Sequence, residues 1–350
     1  MPPALFSDLD HAGQLELLEK LARTALAEHY NLDTTNLVMR VQQYEDNAVW
    51  RAITVDGTSY VARLSIRDGR PAHQQRSEMR WLESLAADGA VAVPSPVTTP
   101  DEQYVVPVEV PGHDQPATLA LLHWVRGTAE PDYRQPAVAE AMGAATAYLH
   151  DNAAKVELPD FDRPVWDTET ILTKGNALTD PVAREQLGTE GFATLQAVAD
   201  RITPRLSAVG TVGHSRIHGD LHRENMIALP DGGVGIIDFD DSGHGHPVLD
   251  IATALSSIHR IAQAVPGAYD EFARRYLHGY ARVRPLPTGF DELFEPHLVL
   301  RDVFVLNFVT SAVPVNAAVA QWGPDRIAGI LANMRYYLDR SAYPGSLPER

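Results

Sequence analysis

The sequence predicts an α+β fold, with a small antiparallel sheet in the N-terminal part and a mainly helical remainder. Three observations predict it. Residues 37–41, 48–55 and 59–65 are short strand-like runs, and Asp56-Gly57 between the last two is a two-residue hairpin signal. Helical spacing dominates from Pro136 onward, apart from a strand–turn–strand stretch inside residues 217–241.

The elements follow in order. Ser7-Asp8-Leu9-Asp10 is a helix start with acids in the first turn, and Leu15, Leu18, Ala22 and Ala25 continue at helical spacing to about Tyr30. This leading helix is expected on the outside of the small sheet. After the three strands, residues 72–87 form a helix with Met79, Leu82 and Leu85 as its apolar stripe. Two strands follow, at 97–99 and 117–124. Pro136 opens a helix to about Asn152, a favoured first position for proline. Residues 155–180, with Pro159, Pro164, Trp166 and Gly175, are expected to be irregular, and a loop of this length is usually functional. Helices return over 181–209 and again across 251–342. The expected organisation is a leading helix (1–34), a sheet-containing lobe (35–122) and a helical lobe (123–350).

Composition narrows the function classes. The 350 residues carry a formal net charge of -17, which makes nucleic acid an unsuitable partner and leans toward a cationic one. There is no cysteine, which excludes disulfides, thiolate metal sites and cysteine nucleophiles. No basic-then-apolar leader is present at the N-terminus. The apolar stretch 298–320 is interrupted by Arg301, Asp302 and Asn307, so it reads as a buried helix and not a membrane span. A cytoplasmic protein without membrane contact is expected; the sequence does not decide between monomer and homodimer. Only three residues are lysine: Lys20, Lys155 and Lys174.

The chemistry concentrates in I-H-G-D-L-H-R-E-N-M-I-A-L-P-D-G-G-V-G-I-I-D-F-D-D, residues 217–241. Met226 to Leu229 and Val234 to Ile237 are apolar runs joined by Pro230-Asp231-Gly232-Gly233, a hairpin that brings Asp238 back toward Asn225. A carboxylate and an amide oxygen beside a second acid form a hard-oxygen site suited to Mg²⁺. Asp220 then remains to accept a proton from an attacking hydroxyl, the working arrangement of phosphoryl transfer.

This spacing resembles the kinase-like phosphotransferases of the aminoglycoside phosphotransferase and choline kinase group. His218-Gly219-Asp220 through Asn225 matches H-G-D-x-x-x-x-N, and Ile237-Asp238-Phe239-Asp240 matches I-D-F/W-D/E, without gaps. The resemblance implies a two-lobed protein-kinase-like fold, ATP and Mg²⁺ as cofactors, Asp220 as the catalytic residue that takes the acceptor's proton, and Asn225 and Asp238 as metal ligands. It also implies that residues 37–65 hold the nucleotide. The loop Gln43-Tyr44-Glu45-Asp46-Asn47 should cover the phosphates, yet it contains no glycine. The lysine expected on the third strand is replaced by Arg63, which can hold phosphate bidentately, as in one bacterial branch of the group; a solvent-facing strand arginine is the plain alternative. Glu78 on the next helix is its expected partner. Leu119 to Gly127 is similar to the family's hinge, so the backbones of His123 and Val125 are expected at the adenine edge. His218 and Asp250, the latter in Asp250-Ile251-Ala252, are expected to brace the catalytic loop. Arg223 is a possible auxiliary. His244 and His246 invite zinc, but no fourth ligand is evident.

The expected activity is ATP-dependent phosphorylation of a hydroxyl on a small molecule, first an aminoglycoside-like or other antibiotic. Alternatives are a metabolite such as homoserine or choline, or protein Ser/Thr. A nucleotide-binding pseudokinase scaffold is a reading of another class, favoured by the missing lysine and glycines and opposed by the intact Asp220, Asn225 and Asp238.

Overall fold

The computed structural model describes residues 6–44, 47–66, 71–314, 316 and 318–347. The chain divides into two compact units, Met1–Arg126 with Leu158–Asp162, and Gly127–Glu157 with Arg163–Arg350.

The first unit begins with α1 (His11–Tyr30). Asp10 caps its start by accepting from the Gly13 amide at 2.8 Å, and Asn31 ends it in the left-handed conformation. Then come β1 (Val38–Tyr44), β2 (Asn47–Ile53), β3 (Ser59–Ser65), α2 (Ala72–Asp88), β4 (Pro96–Val97), β5 (Val105–Val108) and β6 (Ala117–His123). Among the described residues these six strands form one antiparallel sheet in the order β1-β2-β3-β6-β4, with β5 also paired to β6. Alternation along β2 turns Ala48, Trp50 and Ala52 inward. There they meet Leu18, Ala22 and Leu26 of α1 and Leu64 and Leu119 of the sheet in one core. The leading helix therefore shares the hydrophobic core of the sheet. β5 was not expected from the sequence; its four residues, Val-Val-Pro-Val, are a short run carrying a proline, which β5 holds at an exposed position.

The second unit contains β7 (Thr128–Ala129), α3 (Pro136–Lys155), β8 (Val165–Trp166), α4 (Asn176–Thr179), α5 (Pro181–Val209), β9 (Ser215–Ile217), β10 (Met226–Ala228), β11 (Val234–Ile236), β12 (Gly243–Gly245), α6 (Val248–Ala262), α7 (Ala268–Val283), α8 (Phe290–Ala312) and α9 (Val319–Arg340). β10 and β11 form the expected hairpin, with β7 added on the β10 side. β8, β12 and β9 make a second small sheet. The stretch expected to be irregular holds β8, a π-helical turn at Glu169–Thr173 and α4. Helices α3 and α7 approach backbone to backbone. A Cβ at Gly143 would sit 1.9 Å from the Tyr276 carbonyl oxygen, and one at Gly279 would sit 2.0 Å from that of Glu140. α8 is buried along most of its length, and no described helix is long and apolar enough to cross a membrane.

Candidate active site

The loop that carries Asp220 leaves β9 at Ile217 and is anchored by Asp250, in the first turn of α6 and fully buried. Its two carboxylate oxygens accept from the backbone amides of His218 and Gly219, each at 2.8 Å. His150, at the end of α3, donates from Nε2 to Asp250 at 3.0 Å, and its Nδ1 accepts from the Tyr280 hydroxyl at 2.9 Å. A carboxylate with this many donors is satisfied without water, so the loop is tied to three helices. Gly219 has φ +82, and a Cβ there would sit 2.3 Å from the Asp241 carbonyl oxygen; only glycine allows both the turn and the close approach.

His218 joins the loop to the hairpin. Its Nε2 donates to the Ile237 carbonyl at 2.9 Å, its Nδ1 accepts from the Asp220 amide at 3.3 Å, and its ring packs 4.7 Å from that of Phe239. Burial lowers its pKa despite the nearby Asp250, so the ring stays neutral in the one tautomer these bonds require.

The hairpin places the two oxygen donors. The Ile237 amide donates to the Asn225 carbonyl at 3.0 Å, so Asp238 follows directly beside Asn225 in the chain's return. The Asn225 side-chain nitrogen donates to the Asp220 carbonyl at 2.9 Å, which turns its amide oxygen the other way. Asp238 adopts φ 61, ψ 65, a left-handed conformation unusual for a residue with a side chain. Such backbone outliers cluster at functional sites. One amide oxygen and one carboxylate suit Mg²⁺ in their chemistry, since that ion keeps several waters and takes few protein ligands. Asp240, two residues after Asp238, is buried.

Asp220 is half-buried and both its oxygens are engaged. Oδ1 accepts from Nη2 of Arg301, and Oδ2 lies 3.3 Å from Nε2 of His222. Burial would raise its pKa, but Arg301 and His222 outweigh it and hold the carboxyl well below the usual range. Burial opposes a charge on His222 as well. The Asp220 carboxylate, with Glu224 2.9 Å from the other ring nitrogen, reverses this and raises its pKa to about 9. Arg223 is bound to Glu130 through both the side chain and the main-chain carbonyl.

In the first unit, Arg63 and Glu78 form a bidentate ion pair, Nη1 to Oε1 and Nη2 to Oε2, each 2.8 Å. Side-chain exposures of 7% and 1% settle the question of a solvent-facing arginine: Arg63 points inward. His123 ends β6, and its amide donates to the Ser95 carbonyl at 2.8 Å, so a nucleotide could use only its carbonyl. Val125 is half-buried just beyond the strand. In the loop expected to cover the phosphates, Glu45 and Asp46 lie outside the described residues.

Arg301 was not singled out from the sequence as a site residue. It lies 81 residues after Asp220 with no local motif. The available signal was the same one that argued against a membrane span, a charge set in an apolar helix, which requires a buried partner.

The first unit thus carries a buried arginine–glutamate pair between a sheet strand and a helix, and the second a histidine-braced loop followed by a hairpin that ends in Asp238. Residues 38–286 match the family described as the phosphotransferase enzyme family. The chain belongs to that family. It is similar to the microcompartment-associated aminopropanol kinase, with a TM-score of 0.76 and 26% identity over 94% of this chain and 99% of that one. It shares the fold of the amicoumacin kinase hAmiN, solved in complex with AMP-PNP, Ca²⁺ and Ami. There the TM-score is 0.70 and the identity 18%, over 93% and 94% of the two chains. An uncharacterized protein of Deinococcus radiodurans is 30% identical over 226 residues, 63% of this chain; the match spans 62% of that relative's length.

Proposed function

We propose that this protein moves the γ-phosphoryl group of ATP to a hydroxyl of a small molecule. The observation that carries this reading is Asp220, presented on a loop fixed by Asp250 and His218, beside Asn225 and Asp238. In the step, the acceptor oxygen forms a bond to the γ-phosphorus while the bond from that phosphorus to the β–γ bridging oxygen breaks. The hydroxyl proton passes to Asp220, and ADP leaves. Asp220 orients the hydroxyl and takes its proton late, which fits a loose transition state and a weakly basic carboxylate. Asn225 and Asp238 would hold Mg²⁺, which when bound neutralises charge on the phosphates. Arg63, held by Glu78, serves the nucleotide phosphates, and the backbones at His123 and Val125 serve the base.

For the acceptor, the net charge of -17 supports a cationic hydroxylated molecule such as an aminoglycoside-like antibiotic. The likeness to the aminopropanol kinase over nearly the whole of both chains supports a second reading, a small metabolite alcohol. Substituting Asp220→Asn tests the mechanism: phosphate transfer should be lost while ATP still binds. Undiminished transfer would refute the role given to Asp220.

A further inference from the structure

We propose that Arg301 positions the Asp220 carboxylate for phosphoryl transfer; this rests on the function proposed above. The Asp220 backbone is held on both sides, its amide by His218 Nδ1 and its carbonyl by the Asn225 side chain. Its carboxylate has two partners. His222 belongs to the same loop, two residues on, and moves with it. Arg301 comes from the middle of α8 and is the side chain that ties the carboxylate to the helical core.

The guanidinium is itself held in place. It lies 5.2 Å from the centroid of the Phe304 ring, one turn along α8. Phe304 meets Trp166 edge-on at 4.9 Å, and Trp166 Nε1 donates to the Asp241 carbonyl at 2.7 Å. One clamp thus connects α8 to the catalytic loop through Asp220 and to the turn after Asp238 through Asp241. Arg301 is 8% exposed, and its Nη1 is buried with no hydrogen-bond partner among the described residues. An arginine placed for stability alone would be expected to satisfy both terminal nitrogens. Here one is left unsatisfied while the other meets the base. A lysine could supply the charge but not the planar, stacked geometry that fixes direction.

The test uses the full-length protein with Arg301→Met, Arg301→Ala and Arg301→Lys. The first readout is the crystal structure of Arg301→Met, which needs no acceptor. The second is steady-state transfer from MgATP to 1-amino-2-propanol, choline, homoserine or streptomycin, whichever the wild type phosphorylates. The expected result is an Asp220 carboxylate that leaves its rotamer or splits between two. With it, kcat should fall about 100-fold, as for a displaced reacting group, at little-changed KM for ATP. Free guanidinium should restore part of the rate to Arg301→Ala, and Arg301→Lys should recover only part. An unmoved Asp220 carboxylate would overturn the proposal. So would a loss of rate matched by a fall in Tm and unrescued by guanidinium. If the wild type binds ATP but phosphorylates none of these acceptors, the proposed function fails at its acceptor, and the crystal structure alone decides the role of Arg301.

Discussion

Arg63 on β3 and Glu78 on α2 meet through two parallel hydrogen bonds of 2.8 Å, almost wholly shielded from water. Two charges taken out of water are stable only as a pair. Removing one partner leaves the other uncompensated, which costs about 3–5 kcal/mol. Arg63→Met and Glu78→Gln should each lower stability by that order in urea unfolding. The double variant should lose less than the sum, because the orphaned charge is gone. Arg63→Ala should also weaken nucleotide binding, measured by calorimetric titration with MgATP; unchanged affinity would remove Arg63 from the nucleotide site.

Asp250 accepts two loop amides and the His150 ring from a fully buried position. Asp250→Ala should destabilise the second unit by about 3 kcal/mol or more, since hydrogen bonds to a buried charge are each worth about 1.5–3 kcal/mol. Activity should fall further than stability explains, because the amides of His218 and Gly219 set the start of the loop that carries Asp220. Comparing kcat per folded molecule with the unfolding midpoint separates the two effects.

The motif region was readable because its geometry is local. A hairpin with a turn of Pro230-Asp231-Gly232-Gly233 needs no distant information, and the strands at β10 and β11 lie where the apolar runs place them. The inward direction of Arg63 was less readable, since period-two alternation gives a face but not what covers it. Arg301 was hidden for a different reason. Its partner is 81 residues away, and helix packing rather than sequence spacing joins them. The left-handed backbone of Asp238 was likewise invisible, as nothing in I-D-F-D asks for positive φ.

The contact between α3 and α7 leaves no room for side chains at Gly143 and Gly279. Gly143→Ala drives a methyl group into the Tyr276 carbonyl and should force the helices apart. A loss of about 1–3 kcal/mol is expected, as for overpacking of a tight core, measured by thermal or urea unfolding. Gly57→Ala, at a hairpin with open space around it, should show only the smaller penalty of its positive φ.

His246 and His297 are buried beside each other, with ring centroids 5.4 Å apart. Burial, reinforced by neighbouring histidines, pushes their pKa values down to about 4 and about 3. The unfolded chain, with histidine near 6.5, binds these protons first. Stability should therefore fall as pH drops below about 6.5, with a slope approaching about 1.4 kcal/mol per pH unit for each histidine. Urea unfolding at pH 7.5, 6.5 and 5.5 checks this, above the range where carboxylates titrate. His297→Asn, which cannot take up a proton, should flatten the slope relative to wild type.

The most direct test of the central claim is a phosphate-transfer screen. Purified protein with MgATP would be incubated with aminoglycosides, nucleoside antibiotics, amino alcohols, choline, homoserine and a generic protein substrate, and the products weighed by mass spectrometry. One added phosphoryl group on a small-molecule hydroxyl, absent with Asp220→Asn, is the predicted result. Transfer that persists in Asp220→Asn, or a wild-type protein that binds no ATP, would contradict it.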